Sequence, residues 1–366
     1  MRIGVLAVMV ASVSGCGVGS VNERAESSSA KSARQPVLSC PASPAKQVFT
    51  AAMCLCGDYR AVGQGAWVQG GAAGLNGSLD VVGRHTFSND VIAYGGISGV
   101  GDLSVGGSLS TNGRVDGVGD VEVAGDLSAA SGVSGVGRLV VKGTLRTPEG
   151  EAWVGNASVA SKGALEPMAG PPCACGAAQQ LDLGAIMATA IERNDNRAAG
   201  LSLHESVGDR QLTLGSGSYV FDGVTAVGRH VVTIDGAVAL YVKGSFETVG
   251  STHVKLTPGS TLDLYVDGDV ELVGDSSFGE GASPGAVKLY VAGERQLSLV
   301  GSQRVVGSVY APGADLQLVG DSTFEGSLYA RHVEGVGRLE LKFAAPVVAE
   351  PGDDLCRATP VVKGID

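Results

Sequence analysis

A six-residue beat constrains this chain more than any other feature. Aliphatic residues fall at Ile97, Leu103, Leu109, Val115, Val121, Leu127, Val133, Leu139 and Leu145. Glycine follows most of them four places later, at Gly101, Gly107, Gly113, Gly119, Gly125, Gly137 and Gly143. The beat reaches back through Val91 to Leu79, with His85 the one interruption. Three beats make a longer unit: ISGVGDLSVGGSL, VDGVGDVEVAGDL and VSGVGRLVVKGTL superimpose at a spacing of 18 residues. Apolar residues that alternate and break at glycine this often cannot build a helical array. They predict an all-β fold, a parallel β-helix with one coil per 18 residues and three short strands per coil. Glycine belongs at the corners, where a positive φ or a close approach between coils is needed.

Composition agrees with a thin, repetitive core. Of 366 residues, 57 are glycine, and aromatics make up only 5%. The aliphatic residues stay in phase between the glycines, so a core can be buried despite a composition that elsewhere accompanies disorder. The net charge of −11 argues against nucleic acid, which would need a basic stripe.

The first 15 residues have the form of a short signal peptide: Arg2, then an apolar run from Ile3 to Val13 too short to span a bilayer. The run ends Val13-Ser14-Gly15-Cys16, which resembles a bacterial lipobox. That resemblance implies cleavage before Cys16 and lipidation of its thiol. Gly17 stands where an aspartate would resemble an inner-membrane retention signal, so the implied address is the outer membrane. Residues 16–45 are rich in Ser and Ala and read as a flexible tether.

Six further cysteines, Cys40, Cys54, Cys56, Cys173, Cys175 and Cys356, form an even set, as expected for disulfides in an exported chain. Two Cys-x-Cys pairs bracket the hexad region. They pair with each other, or with Cys40 and Cys356. The spacing is shorter than zinc-ligand pairs usually show, so no metal and no cofactor are expected.

Residues 46–163 hold the 18-residue coils, with a short helix at 46–60 as a candidate cap over the first coil. Residues 164–210 break the pattern. Leu183, Ile186, Met187, Ala190 and Ile191 there share one face of a predicted helix, and Asn194-Asp195-Asn196 reads as its stop, with a calcium loop as the sharper alternative. Residues 211–343 resume a solenoid at a looser beat: LYV at Leu240, Leu264 and Leu289, VYA at Val309, LYA at Leu328. A series of VG dipeptides runs in step at Val249, Val273, Val300 and Val319. Residues 344–366 form an acidic tail.

In this second half the run Gly307, Tyr310, Ala311, Pro312, Gly320, Phe324, Gly326 and Ala330 resembles a bacterial β-helix domain of unknown function. That domain occurs in type IV pilus-assembly-related proteins and exported Gram-negative lipoproteins. It carries no catalytic residues to transfer. The first half is similar in coil length to bactofilins, which polymerise end to end. It departs from left-handed hexapeptide acyltransferases in placing Gly where they favour Ser, Thr or Ala, which favours a right-handed helix.

Few residues invite chemistry. His85 stands in the apolar beat, where a hexapeptide acyltransferase would use a histidine as base. Asp267 and Asp269 lie two apart, a spacing that suits a carboxylate pair for glycan cleavage if the segment is a strand, and solvated corner residues if Gly268 makes a turn. The in-phase tyrosines Tyr241, Tyr265, Tyr290, Tyr310 and Tyr329 read as coil packing, with sugar stacking as the alternative. The expectation is a non-enzymatic rod with a structural or interaction role. Its expected partners are the membrane through its lipid, and an envelope polysaccharide, itself or a pilus-related protein. The alternative is a polysaccharide lyase or hydrolase on the same scaffold.

Overall fold

In the computed structural model, residue 49 and residues 51–148, 150–201 and 211–344 are described. The signal peptide, Cys16, the tether, Cys40, the acidic tail and Cys356 lie outside the described residues.

The first half supplies eleven strands: β1 (Met53–Leu55), β2 (Tyr59–Gln69), β3 (Ala73–Leu75), β4 (Leu79–Phe87), β5 (Val91–Ala93), β6 (Ile97–Val105), β7 (Leu109–Thr111), β8 (Val115–Val123), β9 (Leu127–Ala129), β10 (Val133–Arg146) and β11 (Glu151–Gly163). Two helices follow, α1 (Leu183–Glu192) and α2 (Asn196–Ala199). The second half supplies β12 (Gln211–Phe221), β13 (Val224–Val242), β14 (Phe246–Leu256), β15 (Thr261–Val266), β16 (Val270–Glu280), β17 (Val287–Val291), β18 (Gln296–Val306), β19 (Ser308–Gly326) and β20 (Leu328–Phe343). Every pairing between them is parallel, and each strand meets its counterpart one coil away, as in a β-helix. In β8, Val115, Val121 and Val123 point inward while Asp116 and Val118 point out. Gly119 turns the strand between them at φ +123°.

The interior is a set of side-chain columns. Ile97 pairs with Val115 and Val115 with Val133, one above another, and all three are buried. The same column continues through Leu79 and Tyr59 to Val333, Leu316, Leu297, Val270, Phe246 and Val224. It therefore crosses from one half of the sequence into the other.

That crossing corrects the expected arrangement at residues 46–60. Among the described residues of that stretch no helix caps the first coil. Met53–Leu55 is a strand, and β1 and β2 stack directly on β20. The end of the second half is thus covered by the beginning of the first, and the two halves form one continuous column of coils. The free ends are β11 and β12, the strands on either side of the non-repetitive linker.

Each free end is closed differently. At β11 the aliphatic column ends in Glu151, which takes the position of Val133 in the coil below. Lys162 Nζ lies 2.9 Å from the Glu151 carboxylate. The Trp153 ring lies across the interior, so close to Gly135 and Gly117 that a Cβ at either would stand 2.5 Å and 2.7 Å from it. An inward-facing ion pair and a large ring keep a further apolar coil from stacking on this end. At β12 the side chain of Asn196 donates to Val220 O (2.7 Å) and accepts from Val220 N (2.9 Å). Asp195 N donates to Ser218 O (2.7 Å), and its carboxylate accepts from Ser218 N (2.8 Å). Asp195 and Asn196 thus cap the edge strand, occupying backbone sites that another strand would use, while Asn194 donates to Ile191 O (3.0 Å) and forms the expected stop of α1.

Between the two ends the linker returns along the outside of the column. Asp182 caps α1 by accepting from Ala185 N (3.0 Å). Leu183, Ile186, Met187 and Ala190 of α1 are buried against the column, while Ile191 is turned away and exposed.

Candidate interaction surface

Two ladders of side chains point outward from the coils. One is covered and the other is open.

The covered ladder holds the tyrosines. Tyr241, Tyr265, Tyr290, Tyr310 and Tyr329 occupy successive rungs. The first three stack face to face, with ring centroids 4.7 Å apart at each step. The rest are tilted or edge-on. The linker and α1 lie over them, so all five are at most 4% exposed, and Leu183, Ile186 and Met187 pack on the rings. The Tyr310 hydroxyl accepts from Leu181 N (3.0 Å), and the Tyr329 hydroxyl donates to Ala174 O (2.5 Å). Burial pushes the Tyr329 phenol up to about 12, with Tyr310 adding to the shift. Rings enclosed in this way hold the linker to the column and offer no face to a sugar.

The next rung beyond Tyr329 is Cys54. Cys54 bonds Cys173 and Cys56 bonds Cys175, with Cα–Cα distances of 5.7 Å and 5.5 Å. The two Cys-x-Cys motifs therefore pair with each other and pin the linker where the two halves of the sequence meet. Gly74, one rung further, leaves room for Cys173 and Pro172, which a Cβ would meet at 3.1 Å and 3.2 Å.

The open ladder is made of valine. Val227, Val249, Val273, Val300, Val319, Val336, Val62, Val82, Val100, Val118, Val136 and Val154 stand in register from one end of the column to the other. Exposure runs from 44% at Val82 to 68% at Val154, and only Val273 and Val300 are less open. At ~4.8 Å per coil the ladder is ~50 Å long. Beside it runs a polar row two residues earlier in each strand: Gln317, Glu334, Arg60, Asp80, Ser98, Asp116 and Ser134. Between the two rows lies a groove of about 880 Å³, floored by backbone and glycine.

The polar row satisfies itself. Ser98 Oγ donates to Asp80 at 2.6 Å, and Ser134 donates to Asp116. Arg60 lies 2.9 Å from Asp58, 3.6 Å from Asp80 and 3.7 Å from Glu334. On the far side of the valines, Arg84 pairs with Asp102 (3.2 Å) and Arg138 with Asp120 (2.8 Å). The surface is an apolar ridge between a net-negative polar row, in which Arg60 stands against Glu334, Asp80 and Asp116, and a far row whose arginines and aspartates pair. No His, Cys or Lys lines the groove.

The remaining candidate residues fall elsewhere. Asp267 and Asp269 lie in the turn between β15 and β16. Asp267 pairs with Arg295 (3.3 Å), and Asp269 accepts from Gln296 N (2.9 Å). Both acids thus hold a coil corner. His85 is fully buried in the interior beside Leu103, with Nε2 3.4 Å from Val82 O. Burial lowers its pKa, and the Val82 carbonyl offsets part of that. Among the described residues no group of three or more His, Cys, Asp or Glu is placed to hold a metal, and no helix is long and apolar enough to cross a membrane.

A smaller cleft of about 590 Å³ opens beside the Cys56–Cys175 bond, lined by Asp182, Glu294, Arg331 and His332 among others. Its charges are engaged: Arg331 grips Asp315 through two hydrogen bonds (2.8 and 2.6 Å) and holds that carboxyl below the usual range. His332 Nδ1 accepts from Asp58 N (2.9 Å).

Residues 182–345 match the domain of unknown function DUF7305. The matched stretch begins at the cap of α1 and ends just beyond β20, so it takes in the edge cap, the tyrosine ladder and the second set of coils. No curated protein matches the chain. Among solved structures, an ice binding protein from an Antarctic bacterium, Flavobacteriaceae, aligns at 10% identity over 82% of this chain and 98% of that one. The TM-score is 0.15, at which the two structures do not superpose.

Proposed function

We propose that this protein is a non-enzymatic rod of the cell envelope, a lipoprotein anchored in the outer membrane through Cys16. Its column of coils presents the valine face to a partner. The observation that supports this reading is the open ladder itself. Apolar patches beyond a few hundred Å² mark interaction sites on soluble proteins, and this one persists across both halves of the chain. A column closed at both ends is suited to act as a spacer with a working side. The partner classes consistent with it are an envelope polysaccharide, a pilus-related protein or a second copy.

Two experiments test the reading. Radiolabelled palmitate should enter the wild-type protein in bacteria and should not enter Cys16→Ser, with the label recovered in the outer-membrane fraction. Equal labelling of both proteins would remove the anchor from the proposal. Incubation with a panel of envelope glycans should give no cleavage products. Product formation that disappears in Asp267→Asn would replace the non-enzymatic reading with glycan cleavage.

A further inference from the structure

We propose that the valine ladder is the seam of a side-by-side homodimer, with two copies of this chain lying parallel along their lengths. The proposal rests on the valine face being an interaction surface, and it is independent of the lipid anchor.

Shape selects the arrangement. The face carries one ridge, the valines, and one groove beside it, floored by glycine and backbone. A two-fold axis running along the rod exchanges the two features, so that each ridge enters the other copy's groove. Such an interface is self-complementary, as a closed dimer requires. A two-fold axis across the rod leaves ridge facing ridge and groove facing groove, and the copies cannot interlock.

Charge neither favours nor opposes the parallel arrangement. The rotation sets the polar row of one copy beside the far row of the other at the same rung. Asp80 then approaches the partner's Arg84, Glu334 the partner's Arg338, and Ser134 the partner's Arg138. Asp116 meets the partner's Asp120 and Glu271 the partner's Asp275, and Arg84 and Arg338 already pair with Asp102 and Glu340 of their own chain, so like and opposite rungs offset one another and shape decides the arrangement.

Size is sufficient. A stable interface buries roughly 800 Å² on each partner. Over a ladder ~50 Å long this needs a strip ~16 Å wide. The valine row and its two flanking rows span ~13 Å between row centres, and the side chains at the two margins bring the strip to that width. Association along the axis is blocked at one end by the Glu151–Lys162 pair and Trp153, and obstructed at the other by Asp195 and Asn196. The flank is the face left for self-association.

The test uses the purified full-length chain. Sedimentation equilibrium should show a monomer–dimer equilibrium without larger species. Val100→Asp with Val118→Asp should raise the dissociation constant by about a hundredfold or more, because each places a charge in an apolar seam. The melting temperature of the dissociated chain should be unchanged, since these side chains point to solvent. Val100→Cys and, separately, Val319→Cys should each cross-link to the same residue of the second copy, identified by mass spectrometry as a peptide joined to itself. A chain that stays monomeric at all concentrations overturns the dimer. So does a dimer indifferent to the aspartates, an axial filament, or a cross-link that joins Val100→Cys to another rung. If a monomeric chain instead binds an envelope glycan through this face, the dimer fails while the interaction surface stands.

Discussion

His85 shows what a single residue does when a repeat position is filled against its chemistry. It takes an interior site in a series that is otherwise aliphatic, and burial favours its neutral form. The unfolded chain binds the proton more readily, with a pKa of about 6.5. The stability due to the neutral ring is therefore complete above that value and is lost as pH falls through the lower folded pKa. Thermal melts should show stability falling as pH drops below about 6.5. In His85→Leu that component of the drop should vanish, with a larger gain in melting temperature at the acid end. Equal gains above and below that pH would show that the ring is not the titrating group. Gly101 makes the converse point. Its φ is +115°, and a Cβ would stand 2.2 Å from the Gly83 carbonyl oxygen in the next coil. Gly101→Ala should cost about 1–3 kcal/mol in urea denaturation. Both roles were visible in the repeat, since one breaks the apolar beat and the other recurs at a fixed offset from it.

At the scale of elements, the linker decides which outward ladder is hidden. The helix over Leu183–Glu192 was legible from its apolar spacing, although Ile191 shares that spacing and faces outward. The tyrosines were legible as a ladder, but their burial was not, because nothing near them in sequence says what lies on top. The disulfides stayed ambiguous for the same reason: each spans 119 residues. Reduction should loosen the linker and cost up to about 2–4 kcal/mol per bond. Tyrosine absorbance should then shift towards that of exposed phenol at lower denaturant than in the oxidised protein. The edge cap is testable in the same way. Asn196→Ala leaves the Val220 N–H and C=O without their partner and should cost about 1–3 kcal/mol, with faster hydrogen exchange concentrated in Gln211–Phe221. Uniform acceleration across all coils would argue that Asn196 does not act locally.

At the scale of the molecule, the chain enters its own column in the middle. Residues of β20 sit between the second-half coils and β1 and β2, so the last strand described joins the two halves. Deleting residues 328–343 should split one calorimetric transition into two, or lead to aggregation through the newly uncovered coil ends. A single unchanged transition would show that the halves do not depend on β20. The valine face belongs to this scale as well, because it becomes a continuous surface only when both halves are stacked.

The period of the coils, the inward column, the helix and the cysteine pairs as a tether were determined by sequence alone. Alternation and glycine placement are local, and parallel stacking forces every coil to repeat them. The order of the coils, the pairing of the cysteines and the choice of which ladder stays open were decided by tertiary structure. The valines show why. Val100 lies three residues after Ile97, an odd offset that turns it to the opposite side of the strand from the core. Strand geometry places it outside, but whether another segment covers it depends on contacts between residues a hundred or more positions apart.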